Sequence, residues 1–187
     1  MDFNSFLKQK QFFSEEELRI IDDAFGTIAI PKGLVIQEAA QYSNQVIFIE
    51  SGLLRTFYYK DGKDITHFFF DENYFVAPIN SIYNHQTEPY GWESLEACKI
   101  RTIQYQDYLN LEDQFPKLTR LMLEFALHLL HLFSQKLDMV QFQGASDRYH
   151  LFLEMYPNIQ NRVSLGKIAS FLGISQPTLS VIRGQKK

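Results

Sequence analysis

The chain has 187 residues, 45% hydrophobic and 15% aromatic, with a formal net charge of −4 and one cysteine. That is apolar material for one large domain and a small appendage, and it excludes a disordered chain, an internal disulfide framework and a four-cysteine zinc or iron–sulfur site. No apolar run reaches the roughly 18–20 uncharged residues of a membrane span, and Met1-Asp-Phe-Asn-Ser5 lacks the layout of a secretion signal, so the cytoplasm is expected.

The first predicted element opens at Ser14-Glu-Glu-Glu17, ahead of Leu18, Ile20 and Ile21. Serine hydroxyl and glutamate carboxylate can satisfy each other's free amides there, the capping box of a helix start. From about Phe25 to Ile103 the pattern becomes short runs of Ile, Val, Phe and Tyr, interrupted by Pro31-Lys-Gly33, Glu50-Ser-Gly52, Lys60-Asp-Gly-Lys63 and Asp71-Glu-Asn73. Such spacing predicts antiparallel strands closing into a sandwich, jelly roll or barrel, and Asp61-Gly62 marks a tight hairpin. Cys98 reads as a buried strand thiol. His67 and His85 are the strand region's only histidines and have no His-x-His spacing, which argues against a cupin-like metal enzyme and leaves no catalytic or metal-ligating set.

Residues 117–143 contain neither Pro nor Gly and predict one long helix. Its apolar residues fill more than one stripe, so one face can pack on the sheet while another needs cover, and a second copy of the same helix is the expected cover. Leu121, Phe125, Leu129 and Leu132 are the expected dimer interface. His128 and His131 are neighbours on that helix, but no carboxylate or cysteine completes a metal set on the turn. Gly144-Ala-Ser-Asp147 then breaks the helix as a hinge and caps another from Asp147 to Tyr156, ended by Pro157.

Charge is segregated along the chain. Residues 144–187 hold six cations (Arg148, Arg162, Lys167, Arg183, Lys186, Lys187) against two acids, a net +4 beside −8 for the remainder. An acidic body with a basic tail suggests that the tail meets a polyanion. Within it Ile168, Leu172, Ile174, Leu179 and Ile182 are spaced for two short helices sharing a core, with Ala169 at their crossing and Gly173 at the turn, the helix-turn-helix pattern. The second helix should start at Ser175 and place its first turns in the major groove. Gln176 is the candidate for bidentate contact with adenine, Thr178 for a phosphate or a thymine methyl, and Ser180 for either. Arg183, Lys186 and Lys187 would neutralise phosphates.

Two segments, Arg148-Tyr-His-Leu-Phe-Leu-Glu-Met-Tyr-Pro157 and Ile168-Ala-Ser-Phe-Leu-Gly-Ile-Ser-Gln-Pro-Thr-Leu-Ser-Val-Ile-Arg183, carry a resemblance that extends over almost the whole chain. The sequence resembles the Crp/Fnr superfamily of bacterial transcription regulators, in the short form common in Bacteroidetes. The resemblance implies an α+β fold: an N-terminal double-stranded β-helix (jelly-roll, cyclic-nucleotide-binding-like) domain over 1–115, a long dimerisation helix over 116–143 and a C-terminal winged helix-turn-helix over 144–187. It also implies a homodimer on near-palindromic double-stranded DNA, with RNA polymerase as a further candidate partner. Relatives that bind a cyclic nucleotide carry a Gly-Glu pair and a downstream Arg; here the matching segment reads Tyr74-Phe-Val-Ala-Pro78, and no Arg lies between Arg55 and Arg101. The expected pocket is therefore aromatic, near Phe68, Phe70, Tyr74, Phe75 and Trp92, with no cofactor and no affinity for cyclic AMP. Val181 stands where many relatives place a base-reading arginine, and the chain ends before much of a wing could form. Those two departures motivate the competing expectation of a non-DNA-binding interaction or sensor protein that retains the fold.

Overall fold

A computed structural model describes residues 1–185; the two phosphate-neutralising positions expected at Lys186 and Lys187 lie outside the described residues. The chain opens with α1 (Phe3–Gln9) and α2 (Glu15–Ala24). α1 was not expected from the periodicity. Asp2 caps it by accepting from the Ser5 amide at 2.8 Å, and Phe3, Phe6 and Leu7 form its buried face. α2 has the predicted capping box: the Glu17 amide donates to Ser14 Oγ at 3.3 Å, and the Ser14 amide donates to Glu17 Oε2 at 2.6 Å.

Eight strands follow: β1 (Gly26–Ile30), β2 (Val35–Gln37), β3 (Gln45–Ser51), β4 (Leu54–Lys60), β5 (Lys63–Phe70), β6 (Phe75–Val76), β7 (Gly91–Ser94) and β8 (Cys98–Gln104). They form two antiparallel four-stranded sheets, ordered β1-β8-β3-β6 and β2-β7-β4-β5, the jelly-roll arrangement expected. At the β4–β5 hairpin Lys60 pairs with Lys63, and Asp61 and Gly62 take φ of 53° and 71°, the double positive φ that the Asp-Gly pair signals. Cys98 is buried on β8, its thiol directed to the Glu96 and Leu53 carbonyls. A short helix, α3 (Ile79–Asn84), interrupts the strand region, and α4 (Tyr105–Gln114) leaves it.

Helix α5 (Lys117–Phe142) runs 26 residues, about 39 Å at 1.5 Å per residue. Its inner face carries the four residues expected in the dimer seam. Leu121 and Leu132 are buried in their own chain, and Phe125 and Leu129 are half-buried against the same cores. A helix that is apolar nearly all round gives no sequence signal as to which stripe meets the sheet. The uncovered stripe is Leu123, Leu127, Leu130, Leu137 and Val140, between 46% and 64% exposed.

Helix α6 (Ala145–Met155) begins two residues earlier than expected, with Gly144 at its N-cap and Asp147 in its first turn instead of capping it. Extended backbone at Gln143 (φ −105°, ψ 145°) ends the α5 spiral, and Gly144 (φ −72°, ψ 166°) opens α6 without a side-chain cap. Arg148 bridges the break: its guanidinium donates to the Gln143 carbonyl at 2.9 Å, the Val140 carbonyl at 3.1 Å and the Leu172 carbonyl at 3.2 Å. The tail ends in α7 (Leu165–Leu172) and α8 (Gln176–Gly184). Among the described residues no strand follows β8, so no wing accompanies these helices there.

Candidate DNA-reading helix and effector cavity

The geometry of the two tail helices follows from local chemistry. Ser164 caps α7, Gly173 closes it in the left-handed conformation (φ 67°), and Ser175 caps α8 by accepting from the Thr178 amide at 3.2 Å. Pro177 falls in the first turn of α8, where a missing amide proton loses no helical bond. Ile168, Ala169, Leu172, Leu179 and Ile182 are buried between the helices, and Ile174 packs half-buried against the same core. The opposite face of α8 is open: Ser175, Gln176, Thr178, Ser180 and Arg183 are all exposed. Val181 lies on the same face, 60% exposed. The Ser175 and Thr178 hydroxyls are 2.7 Å apart, so each already has a hydrogen-bond partner.

Among the described residues, three of the tail's four cations are engaged inside the molecule. Arg162 pairs with Glu72 at 2.7 Å and with Glu96 at 2.5 Å, both on the β-roll. Hydrogen bonding to Glu96, then to Glu72, outweighs the burial that opposes it and holds the guanidinium well above its usual pKa. Lys167 pairs at 2.7 Å with Glu93, which also accepts from buried Arg55 at 2.6 Å, and Arg55 in turn pairs with Asp64. Ser170 Oγ accepts the Thr66 amide of β5 at 2.9 Å. The Lys136 ammonium lies 4.7 Å from the Phe68 ring centre and 4.3 Å from that of Phe171, joining sheet, α5 and α7, and burial lowers its pKa to about 8. Phe171 meets Phe69 at 5.4 Å, Phe152 at 5.6 Å and Tyr156 at 5.7 Å, so β-roll and tail share one core.

A cavity of about 650 Å³ lies between the β-roll and the inner face of α5. Of the expected aromatics, Phe68, Phe70, Phe75 and Trp92 line it. Tyr74 does not. Adjacent residues of an extended chain face opposite ways, so with Phe75 turned into the cavity the Tyr74 hydroxyl reaches His128 Nε2 on α5, at 2.8 Å, beside a separate depression. Phe125 and Leu129, expected in the dimer seam, are part of the cavity wall, as are His67, Tyr90, Tyr108 and Phe133. His67 stacks on Tyr90 with ring centres 3.9 Å apart and planes 6° apart. Burial, then the Lys136 charge, lowers its pKa to about 4, so the ring is neutral at physiological pH. Among the described residues the wall contains no Lys or Arg, and no cluster of three His, Cys, Asp or Glu is placed to hold a metal.

No family model and no curated protein matches the sequence. Solved structures do match it. The fold is that of the Crp/Fnr regulators. A mutant of CooA from Carboxydothermus hydrogenoformans superposes with a TM-score of 0.72 at 17% identity, over 88% of this chain and 77% of that one. The c-di-GMP-responsive global regulator CLP of Xanthomonas campestris gives 0.74 at 14% identity, over 92% and 91%. FixK2 of Bradyrhizobium japonicum gives 0.73 at 13%, over 86% and 83%. Similarity at this level of identity is similarity of fold. No described helix is long and apolar enough to cross a membrane.

Proposed function

We propose that the chain is a homodimeric DNA-binding transcription regulator of the Crp/Fnr type, acting in the cytoplasm, with RNA polymerase as a further partner. Residues 1–115 form its sensor, 116–143 its dimerisation helix and 144–187 its reader. The observation that carries this reading is α8, whose polar face from Ser175 to Arg183 is exposed while its apolar face is buried under α7. Such a helix can enter a major groove without unfolding anything. The decisive test is titration of a genomic-fragment pool, with recovered sites sequenced and rebound at two salt concentrations. Affinity that falls steeply with salt supports the regulator; its absence rejects it.

The exposed α5 stripe supports the dimer. Leu123, Leu127, Leu130 and Leu137 recur at spacings of four, three and seven, the seam of a helix pair, and alone they would leave a large apolar patch in water. Leu127→Glu with Leu130→Glu should give monomers in sedimentation, and an unchanged dimer would reject α5 as the interface. The β-roll cavity serves as an effector pocket with no cation to meet a cyclic phosphate, so calorimetry should show no tight binding of cyclic AMP.

One observation favours a second reading, an interaction protein that has kept the fold. Among the described residues, three of the tail's four cations are committed to intramolecular contacts, and Val181 stands in the middle of the exposed face of α8. The same salt titration separates the two.

A further inference from the structure

The walls of the β-roll cavity restrict what can enter it, an inference that rests on reading the cavity as an effector pocket. At about 650 Å³ it suits a small organic molecule, and most of its lining is ring or aliphatic surface. The charged side chains on its wall are carboxylates. Glu88 is buried, its Oε1 accepting the Ser81 amide at 2.6 Å, and Glu112 lies on α4. The cations flanking it on β4 and α5 are engaged elsewhere: Arg55 with Asp64 and Glu93, Arg120 with Glu124 and the face of Phe12, Lys136 with the His67 carbonyl and the faces of Phe68 and Phe171. The remaining basic group, the His67 imidazole, stacks flat against Tyr90.

An anion in this cavity would lose its hydration, find no counter-charge and face two carboxylates. A neutral molecule would bury apolar surface against the rings, and a cationic one would also meet ring faces and carboxylates of the favourable sign. We propose that the cavity receives a largely apolar, ring-bearing small molecule carrying no negative charge. This excludes phosphates and carboxylates as classes and leaves aromatic alcohols, ketones and amines.

Trp92 supplies a built-in reporter, because it is the chain's single tryptophan and lies on the cavity wall. The full chain is titrated, without DNA, with phenylbutanol, phenylbutylamine and phenylbutanoate, which differ only in their terminal group. Saturable change in Trp92 emission is expected with the alcohol or the amine, with the carboxylate about tenfold weaker or worse. Carboxylate binding equal to or tighter than the alcohol overturns the proposal, as does silence with all three. Met122→Lys places a cation on the same wall and should bring the carboxylate to within about threefold of the alcohol. Because no DNA is present, failure here leaves the reading of α8 intact. Loss of DNA binding with the charge discrimination preserved would reject the regulator and keep the ligand class.

Discussion

The two tail helices, α7 and α8, differ in how their outward surfaces are used. α7 turns Phe171 into a ring cluster, Ser170 onto the edge of β5 and Lys167 onto Glu93, so it is welded to the β-roll. α8 buries only Leu179 and Ile182 and leaves its other face to solvent. The difference teaches that a basic segment is not the same as a basic surface. Of the cations that make the tail +4, Arg148, Arg162 and Lys167 hold the tail in place, and Arg183 is the described one left exposed beside the reading face.

The sharpest way to break the contrast is through Phe171. Phe171→Ala empties the ring cluster between sheet and tail and should destabilise the fold by about 3–5 kcal/mol, read by denaturant melts. On the open helix, Gln176→Ala should leave stability unchanged. It should weaken the cognate duplex by roughly 1–3 kcal/mol with little effect on scrambled DNA, measured by titrating both. Equal weakening on both duplexes would mean that Gln176 reads no base. Arg162→Gln leaves Glu72 and Glu96 facing each other without their cation, in a partly solvated site. About 1–2 kcal/mol of stability should go, and a double-mutant cycle with Glu96→Gln should recover part of it.

A titration sharpens the same boundary. The unfolded chain protonates His67 near pH 6.5 and the folded chain only near 4. The stability contributed by the neutral ring is therefore complete above pH 6.5 and lost as pH falls toward 4. Denaturant midpoints should decline over that window, and His67→Gln should flatten the decline. The smallest effect expected is that of Arg183→Ala, which should weaken operator and scrambled DNA alike and reduce the salt slope by about one.

Whatever depends on a few neighbouring residues is legible in the sequence. The Ser14 box, the Asp61-Gly62 turn, the left-handed Gly173 and the Ser175 cap with Pro177 behind it each follow from local backbone chemistry. α1 escaped because seven residues make fewer than two turns, too short for periodicity to register. The orientation of α5 escaped for the opposite reason: an apolar surplus on all sides is consistent with any rotation, and only docking against Phe75 and Phe68 selects one. In the cavity, Phe68, Phe70, Phe75 and Trp92 were found by proximity in sequence. Tyr90, Tyr108 and Phe133 come from distant elements brought together by the roll and carry no local signal. The fate of Arg162 and Lys167 was equally invisible, since their partners lie 66 to 90 residues away.

Arg148 gives the joint at Gly144 a mechanical character that its backbone alone would not have. One rigid, planar guanidinium ties the last turn of α5, the break itself and the C-terminal end of α7. The break is thus a braced elbow, its three struts fixing the end of the 26-residue shaft to the start of α6 and the end of α7. Replacing that brace with a methyl would remove all three struts at once and leave the elbow held by apolar packing alone.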